Sequence, residues 1–155
     1  MASVRIFLQK PFFMSNYKLI TDGAYSSSRD QGGIAFIFLK ENTPIIEYSK
    51  MYKHCTNNQM EMIAIISGLK CIKKSIDNLI IISDSMYCVG CATLGWKRKK
   101  NVKLWKIFDS ELDRVSKLCS NIEFKHVRGH QKDNSEETKW NNRCDELAVQ
   151  ASQKI

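Results

Sequence analysis

An α/β domain built on a five-stranded mixed sheet is the fold this sequence predicts, and three observations point to it. Three strand-like runs come first, separated only by turn signals, so they make an antiparallel meander. Helical periods then alternate with two further apolar runs, the pattern of strands joined by crossovers and flanked by helices. The run from Leu79 to Ile82 is apolar throughout, as a central strand buried on both faces must be.

The elements follow in order. Tyr17 to Thr21 is a short apolar-rich strand that stops at Asp22-Gly23. Gly32-Gly33 opens the second strand, Ile34 to Leu39, rich in Ile and Phe. Asn42-Thr43-Pro44 turns the chain into the third, Ile45 to Tyr52. From about Asn58 to Lys74, Met62, Ile65, Ile66, Leu69 and Ile72 recur at helical spacing, and Lys70, Lys73 and Lys74 suit the negative end of that helix dipole. Asn58 is of the type that caps such a helix. A short helix starts near Met86, and a second, Val102 to Leu118, carries Leu104, Ile107, Phe108, Leu112 and Val115. Ile122 to Val127 is the fifth strand, and Asn141 to Gln153 closes the chain as a helix.

The whole fits one domain, residues 17–155, behind an N-terminal extension of residues 1–16 that is partly disordered or packed beside the first strand. At 155 residues the chain can bury a substantial core. Hydrophobic residues at 43% and charged residues at 26% are ordinary for a soluble globular protein. No apolar run approaches the ~20 residues of a membrane span. The six cysteines sit within regular elements, which argues for free thiols in a reducing, cytoplasmic or nuclear compartment rather than organelle targeting by the first residues. Cys88 and Cys91 with His126 and His130 make a poor zinc set, because the gap far exceeds the usual ~12–15 residues.

Four carboxylates carry the chemistry. Asp22 ends the first strand, Asp84 follows the buried strand in Ser83-Asp84-Ser85, Glu61 lies in the first turn of its helix, and Asp145 lies one turn into the last helix. If the two strands are neighbours, Asp22 and Asp84 emerge at one sheet edge. Such a cluster needs a counter-charge, and hard divalent cations prefer carboxylate oxygen. The rest of the protein is basic, with a net charge of +8. A basic surface without a partner is one reading of that excess; the other is a polyanionic partner. An acidic metal site inside a basic protein suggests an enzyme that cuts or joins nucleic acid.

Taken together, Thr21-Asp22-Gly23, Thr56-Asn57-Asn58 with Met60-Glu61, Ser83-Asp84-Ser85-Met86-Tyr87, Val127-Arg128-Gly129-His130 and Asn141-Asn142-Arg143-Cys144-Asp145-Glu146-Leu147-Ala148 resemble type 1 ribonuclease H. The resemblance spans residues 17–153, and the last string is similar to bacterial members. It implies the ribonuclease H-like fold and hydrolysis of the RNA strand of RNA/DNA hybrids with two Mg²⁺ ions, Mn²⁺ being an alternative, to leave 5′-phosphate and 3′-hydroxyl ends. It also implies that Asp22 bridges both metals, that Glu61 and Asp84 complete one site and Asp145 the other, and that His130 aids proton transfer or product departure.

For the substrate grip, Asn58, Gln59 and Asn141 are candidates to read the 2′-hydroxyl, and Thr56 and Asn57 match positions that hold a DNA-strand phosphate. Backbone at Gly23 and Ala24 is placed to contact the scissile region. Lys97, Arg98, Lys99 and Lys100 form a shortened basic loop able to track phosphate, whereas Trp105 fits the core. A monomer is expected. A hybrid-binding module without catalysis and a related-fold DNA nuclease are the competing readings; the four carboxylates oppose the first, and the Asn57-Asn58 and Gly129-His130 contexts oppose the second.

Overall fold

The computed structural model describes residues 14–129 and 131–155. Its elements are β1 (Asn16–Ser26), β2 (Gln31–Lys40), β3 (Thr43–Lys53), α1 (Asn57–Lys70), β4 (Ile76–Ser83), α2 (Met86–Thr93), α3 (Val102–Ser116), β5 (Cys119–His126) and α4 (Glu136–Ser152). The sheet order is β3-β2-β1-β4-β5. β1, β2 and β3 pair antiparallel, and β4 and β5 join in parallel, which is the five-stranded mixed sheet that the sequence predicts.

Strand alternation divides the core into two layers. Leu19, Phe36 and Phe38 point to one face and pack on Met62, Ile65 and Leu69 of α1, with Trp105 and Phe108 of α3 beside them. Ile20, Ala35, Ile37 and Leu39 point to the other face, where Cys144 and Ala148 of α4 cover them. Each fully buried Leu, Ile, Met or Phe among them stabilises the fold by roughly 1.5–3 kcal/mol. Small residues let α4 lie close: a β-carbon at Gly33 would run into the Ala148 carbonyl oxygen and sit 2.6 Å from the Ser152 amide nitrogen.

Several boundaries differ from the sequence expectation. β1 does not end before Asp22, because pairing with β2 continues from Asp22↔Ala35 to Ser26↔Gln31. Its parallel pairing with β4 stops at Thr21↔Ser83, so Asp22 marks the end of one partnership rather than of the strand. The β2–β3 turn is centred on Glu41 and Asn42, both left-handed, and Thr43 already belongs to β3. α1 ends at Lys70, where Arg114 of α3 takes the Leu69 and Ile72 carbonyls at 2.9 and 2.7 Å. β4 and β5 each begin earlier than expected, at Ile76 and Cys119.

Helix α4 also begins earlier, at Glu136. Ser135 caps it by accepting the Thr138 N–H at 3.1 Å, and Glu136 and Glu137 suit the positive end of its dipole. Of the expected N-terminal extension, residues 1–13 lie outside the described residues, and Asn16 is already part of β1. Overpacking at the α4–sheet contact sets a test of this layer. Gly33→Ala is expected to lower the unfolding free energy by about 1–3 kcal/mol, measured by denaturant titration, and to reduce activity because Asp145 moves with α4.

Candidate metal centre

Asp22, Glu61 and Asp84 each arrive by a separate local device. Thr21 Oγ1 donates to the Ile82 carbonyl at 3.2 Å, tying β1 to β4 one residue before Asp22. The β4 chain then emerges beside Asp22, and Asp84 is its next residue. Ser83 Oγ accepts the Ser85 N–H at 3.0 Å, and Ser85 Oγ accepts the Cys88 N–H at 3.1 Å as the cap of α2. Asp84 is thus held in the tight passage from strand to helix. Gly129 leaves room for it, since a β-carbon there would stand 2.9 Å from Asp84 Oδ2.

Glu61 is placed by α1. Thr56, not Asn58, caps this helix: its Oγ1 accepts the Gln59 N–H at 3.1 Å, while Gln59 Oε1 accepts the Thr56 N–H at 3.0 Å. The start of α1 lies hard against β1 at Gly23, where a β-carbon would stand 2.5 Å from the Glu61 nitrogen. The Gly23 N–H donates to Glu61 Oε1 at 2.6 Å and to Asp22 Oδ1 at 2.9 Å. That amide is therefore spent on the acids and is not free for a substrate phosphate.

The ligand oxygens of Asp22, Glu61 and Asp84 all lie within 4.8 Å of one another. Asp145 stands outside that set, yet its carboxyl approaches Asp22 closely enough to raise its pKa. Asp22 and Glu61 are only 2% and 6% exposed. Burial, then the charge of Asp84, pushes Asp22 from 3.8 up to about 8. Burial, then the charges of Asp22 and Asp84, pushes Glu61 from 4.5 up to about 11. Asp22 Oδ2 is buried with no hydrogen-bond partner. Hard oxygen donors, an orphaned carboxylate oxygen and mutually repelling charges fit a hard divalent cation, with these three residues as its holders.

The other sequence-predicted residues divide into two groups. Asn57 and Asn58 are exposed on the first turn of α1, and Ala24 is half-buried in β1. Thr56 and Gln59 serve the cap, and Gln59 Nε2 also donates to Asn101 Oδ1 at 3.3 Å. Asn141 is buried in α4, its Oδ1 without a partner, beside a cavity of about 240 Å³ that Arg128 and Thr138 also line. Lys97, Lys99 and Lys100 are exposed.

Arg98 is not available in the same way. Its guanidinium donates to the Cys91 carbonyl at 3.1 Å and to Asp109 Oδ2 at 2.5 Å, and lies 4.3 Å over the Trp105 ring. Trp105 is core, as its spacing predicts. Cys88 and Cys91 are buried in α2. His130 lies outside the described residues. Sequence reasoning missed the close approach of Gly129 to Asp84 and the role of Ser85; a glycine and a cap-type serine flanking an acid were the available signals.

A family model for RNase H matches residues 14–153. The chain is 40% identical over 147 residues to the ribonuclease H of Trichodesmium erythraeum, covering 88% of each. The fold is similar to that of RNase H1 from the halophilic archaeon Halobacterium salinarum, with a TM-score of 0.68, 18% identity, and coverage of 88% of this chain and 96% of that one. It is also similar to LC11-RNase H1, solved in complex with an RNA/DNA hybrid: the TM-score is 0.65 and the identity 21%, over 87% of this chain and 95% of that one.

The raised carboxyls fix how stability depends on pH in the metal-free protein. Asp22 keeps its proton in the folded state from its ordinary 3.8 up to about 8, so the folded state binds more protons than the unfolded one across that window. Metal-free stability is therefore expected to fall as pH rises from 5 to 8, by up to about 1.4 kcal/mol per pH unit for each carboxyl held protonated. Asp22→Asn should flatten that slope, and saturating Mg²⁺ should stabilise more at pH 8 than at pH 6. Thermal or denaturant unfolding across pH, with and without metal, checks both.

Proposed function

The chain belongs to the ribonuclease H family, and from that membership we propose that it hydrolyses the RNA strand of RNA/DNA hybrids at the cluster of Asp22, Glu61, Asp84 and Asp145. The observation that carries this reading is the convergence of three carboxylates, two of them buried, with ligand oxygens within 4.8 Å of one another. A pair of Mg²⁺ ions bound there, or of Mn²⁺ by the same donor chemistry, would supply positive charge to both the attacking and the departing oxygen of an in-line displacement. Asp22, Glu61 and Asp84 would hold the ions, with Asp145 beside Asp22 as a further holder.

The protein's own groups do the remaining work. Gly23 N–H keeps Glu61 aimed at Asp22. The Ser83–Ser85 hydrogen bond fixes the turn that presents Asp84. Burial of Asp22 and Glu61 excludes water and strengthens each charge interaction made there. Both acids release protons when they take up metal, so the site is readied by rising pH. Water attacks the phosphorus, the bond to the 3′-oxygen breaks, and the products are a 5′-phosphate and a 3′-hydroxyl. His130 is assigned the proton carried between the leaving oxygen and solvent, a role open to an imidazole side chain.

Choice of the hybrid is a matter of the 2′-hydroxyl, the group that separates RNA from DNA. The exposed amide of Asn58 lies three residues before Glu61, within one helical turn of the reaction centre. Thr56 and Asn57 lie beside it for a DNA-strand phosphate. Lys97, Lys99 and Lys100 supply further charge, while Arg98 anchors their loop. The similar fold solved with an RNA/DNA hybrid supports this choice of partner.

Labelled RNA/DNA hybrid, duplex RNA and duplex DNA, incubated with Mg²⁺, test the proposal. Cleavage confined to the RNA strand of the hybrid, with ligatable 3′-hydroxyl ends, is expected, and Asp84→Asn should reduce it by at least about 10²-fold. Cutting of duplex DNA, or full activity in that variant, would contradict it.

A further inference from the structure

The geometry points to Arg143 as a positioning residue that sets the roll of α4 about its own axis, and so the reach of Asp145 toward Asp22. Arg143 touches neither metal nor substrate; its role rests on the proposed part of Asp145 as a holder of metal, and extends it.

Successive residues of an α-helix are turned by about 100°. Cys144 faces the sheet: it is fully buried, and its thiol approaches the Ala35 carbonyl oxygen at 3.3 Å and that of Ile20 at 3.6 Å. Its two neighbours, Arg143 and Asp145, therefore leave α4 on opposite flanks. Arg143 reaches outward to the edge strand β3, where Nη2 donates to Glu47 Oε1 at 2.8 Å and Nε to Glu47 Oε2 at 3.4 Å. Asp145 reaches the other way, and its carboxyl approaches Asp22 on β1. The two side chains are the arms of a lever whose fulcrum is Cys144.

The buried seam of α4 does little to resist a roll. Its side chains are Asn141, Cys144, Ala148, Ala151 and Ser152, which let the helix lie close but offer no large knob to lock its rotation. A helix with its side chains is about 10–12 Å across, so a roll of about 10° carries a side-chain end by about 1 Å. A productive ligand set tolerates about 0.5 Å. Exposed ion pairs contribute little as a rule, but a guanidinium fork held by both oxygens of one carboxylate fixes direction as well as distance. Glu146, one turn on, lies 3.5 Å from Arg143 Nη1 and keeps the guanidinium on that flank. Asp22, Glu61 and Asp84 are placed by β1, α1 and the end of β4, so the pair with Glu47 bears on Asp145 alone among the acids.

Mn²⁺ titration followed by the EPR signal of the free ion reads binding without turnover. The share that belongs to Asp145 is what Asp145→Asn removes from the parent isotherm. In Arg143→Gln and in Glu47→Gln that share is expected to weaken about 3- to 10-fold, less than the roughly 10- to 100-fold for a partner bonded directly to a metal ligand, while the remaining binding stays as in the parent. Exchanging the pair, Glu47→Arg with Arg143→Glu, should restore the share to within about 2-fold. The sign separates positioning from a plain charge effect, because removing a cation near the acids would by charge alone tighten Mn²⁺ binding. Unchanged or tighter binding in Arg143→Gln, an exchanged pair no better than the single variants, or equal weakening of the share that Asp145 does not hold overturns the inference while Asp145 keeps its place as a metal holder. Coincident isotherms for the parent and Asp145→Asn instead remove Asp145 from the metal centre and overturn the reading beneath it.

Discussion

Asp22 and Glu61 are held almost out of reach of water, at 2% and 6% exposure, with Asp84 against them, and this enforced meeting of like charges governs the rest of the molecule. Asp22 and Glu61 draw local hydrogen bonds from the backbone of Gly23. Asp22 and Glu61 are consequently raised so that they hold their protons at neutral pH until a cation enters. The fold stores that repulsion in a scaffold stable enough to bear it, namely two buried layers on either side of the β1–β2–β4 core.

Close approach is the scaffold's recurrent means. Gly23 admits α1 against β1, Gly33 admits α4 against β2, and Gly129 admits the chain after β5 against Asp84. Each glycine sits where a β-carbon would push away an element or residue that carries one of the acids: Glu61 on α1, Asp145 on α4, and Asp84 itself. Serine and threonine complete the arrangement at the strand-to-helix junctions: Thr56 starts α1, Ser85 starts α2 and Ser135 starts α4. These caps fix where each helix begins, and hence the angle at which Glu61, the α2 surface and Asp145 face the centre.

Much of this was legible in the residues. Asp84 follows a four-residue apolar run and is bracketed by serines, so its place at the end of a central strand could be read directly. Glu61 and Asp145 were legible as helical acids within distinctive strings, and Trp105 as core from its spacing. Less was visible where long-range pairing overrides local propensity. Asp22-Gly23 looks like a strand end, but β2 carries the strand on to Ser26. The start of α4 is marked by Ser135-Glu136-Glu137, ahead of the Asn141 string. Nothing in a run of basic residues says which one will find a carbonyl and an aromatic face, so the docking of Arg98 was hidden. The raised acidities of Asp22 and Glu61 are likewise consequences of burial that no local pattern encodes.

Metal uptake depends on the protonation of Asp22 and Glu61 before the cation arrives, and calorimetric titration of the metal-free protein with Mg²⁺ at pH 7 measures it directly. Repeating the titration in buffers of differing ionisation enthalpy yields the protons released per chain. With Asp22 raised to about 8 and Glu61 to about 11, binding should release on the order of one to two protons. A binding heat independent of buffer would mean that these carboxylates are already ionised, and would contradict the claim that burial holds them neutral until the cation enters.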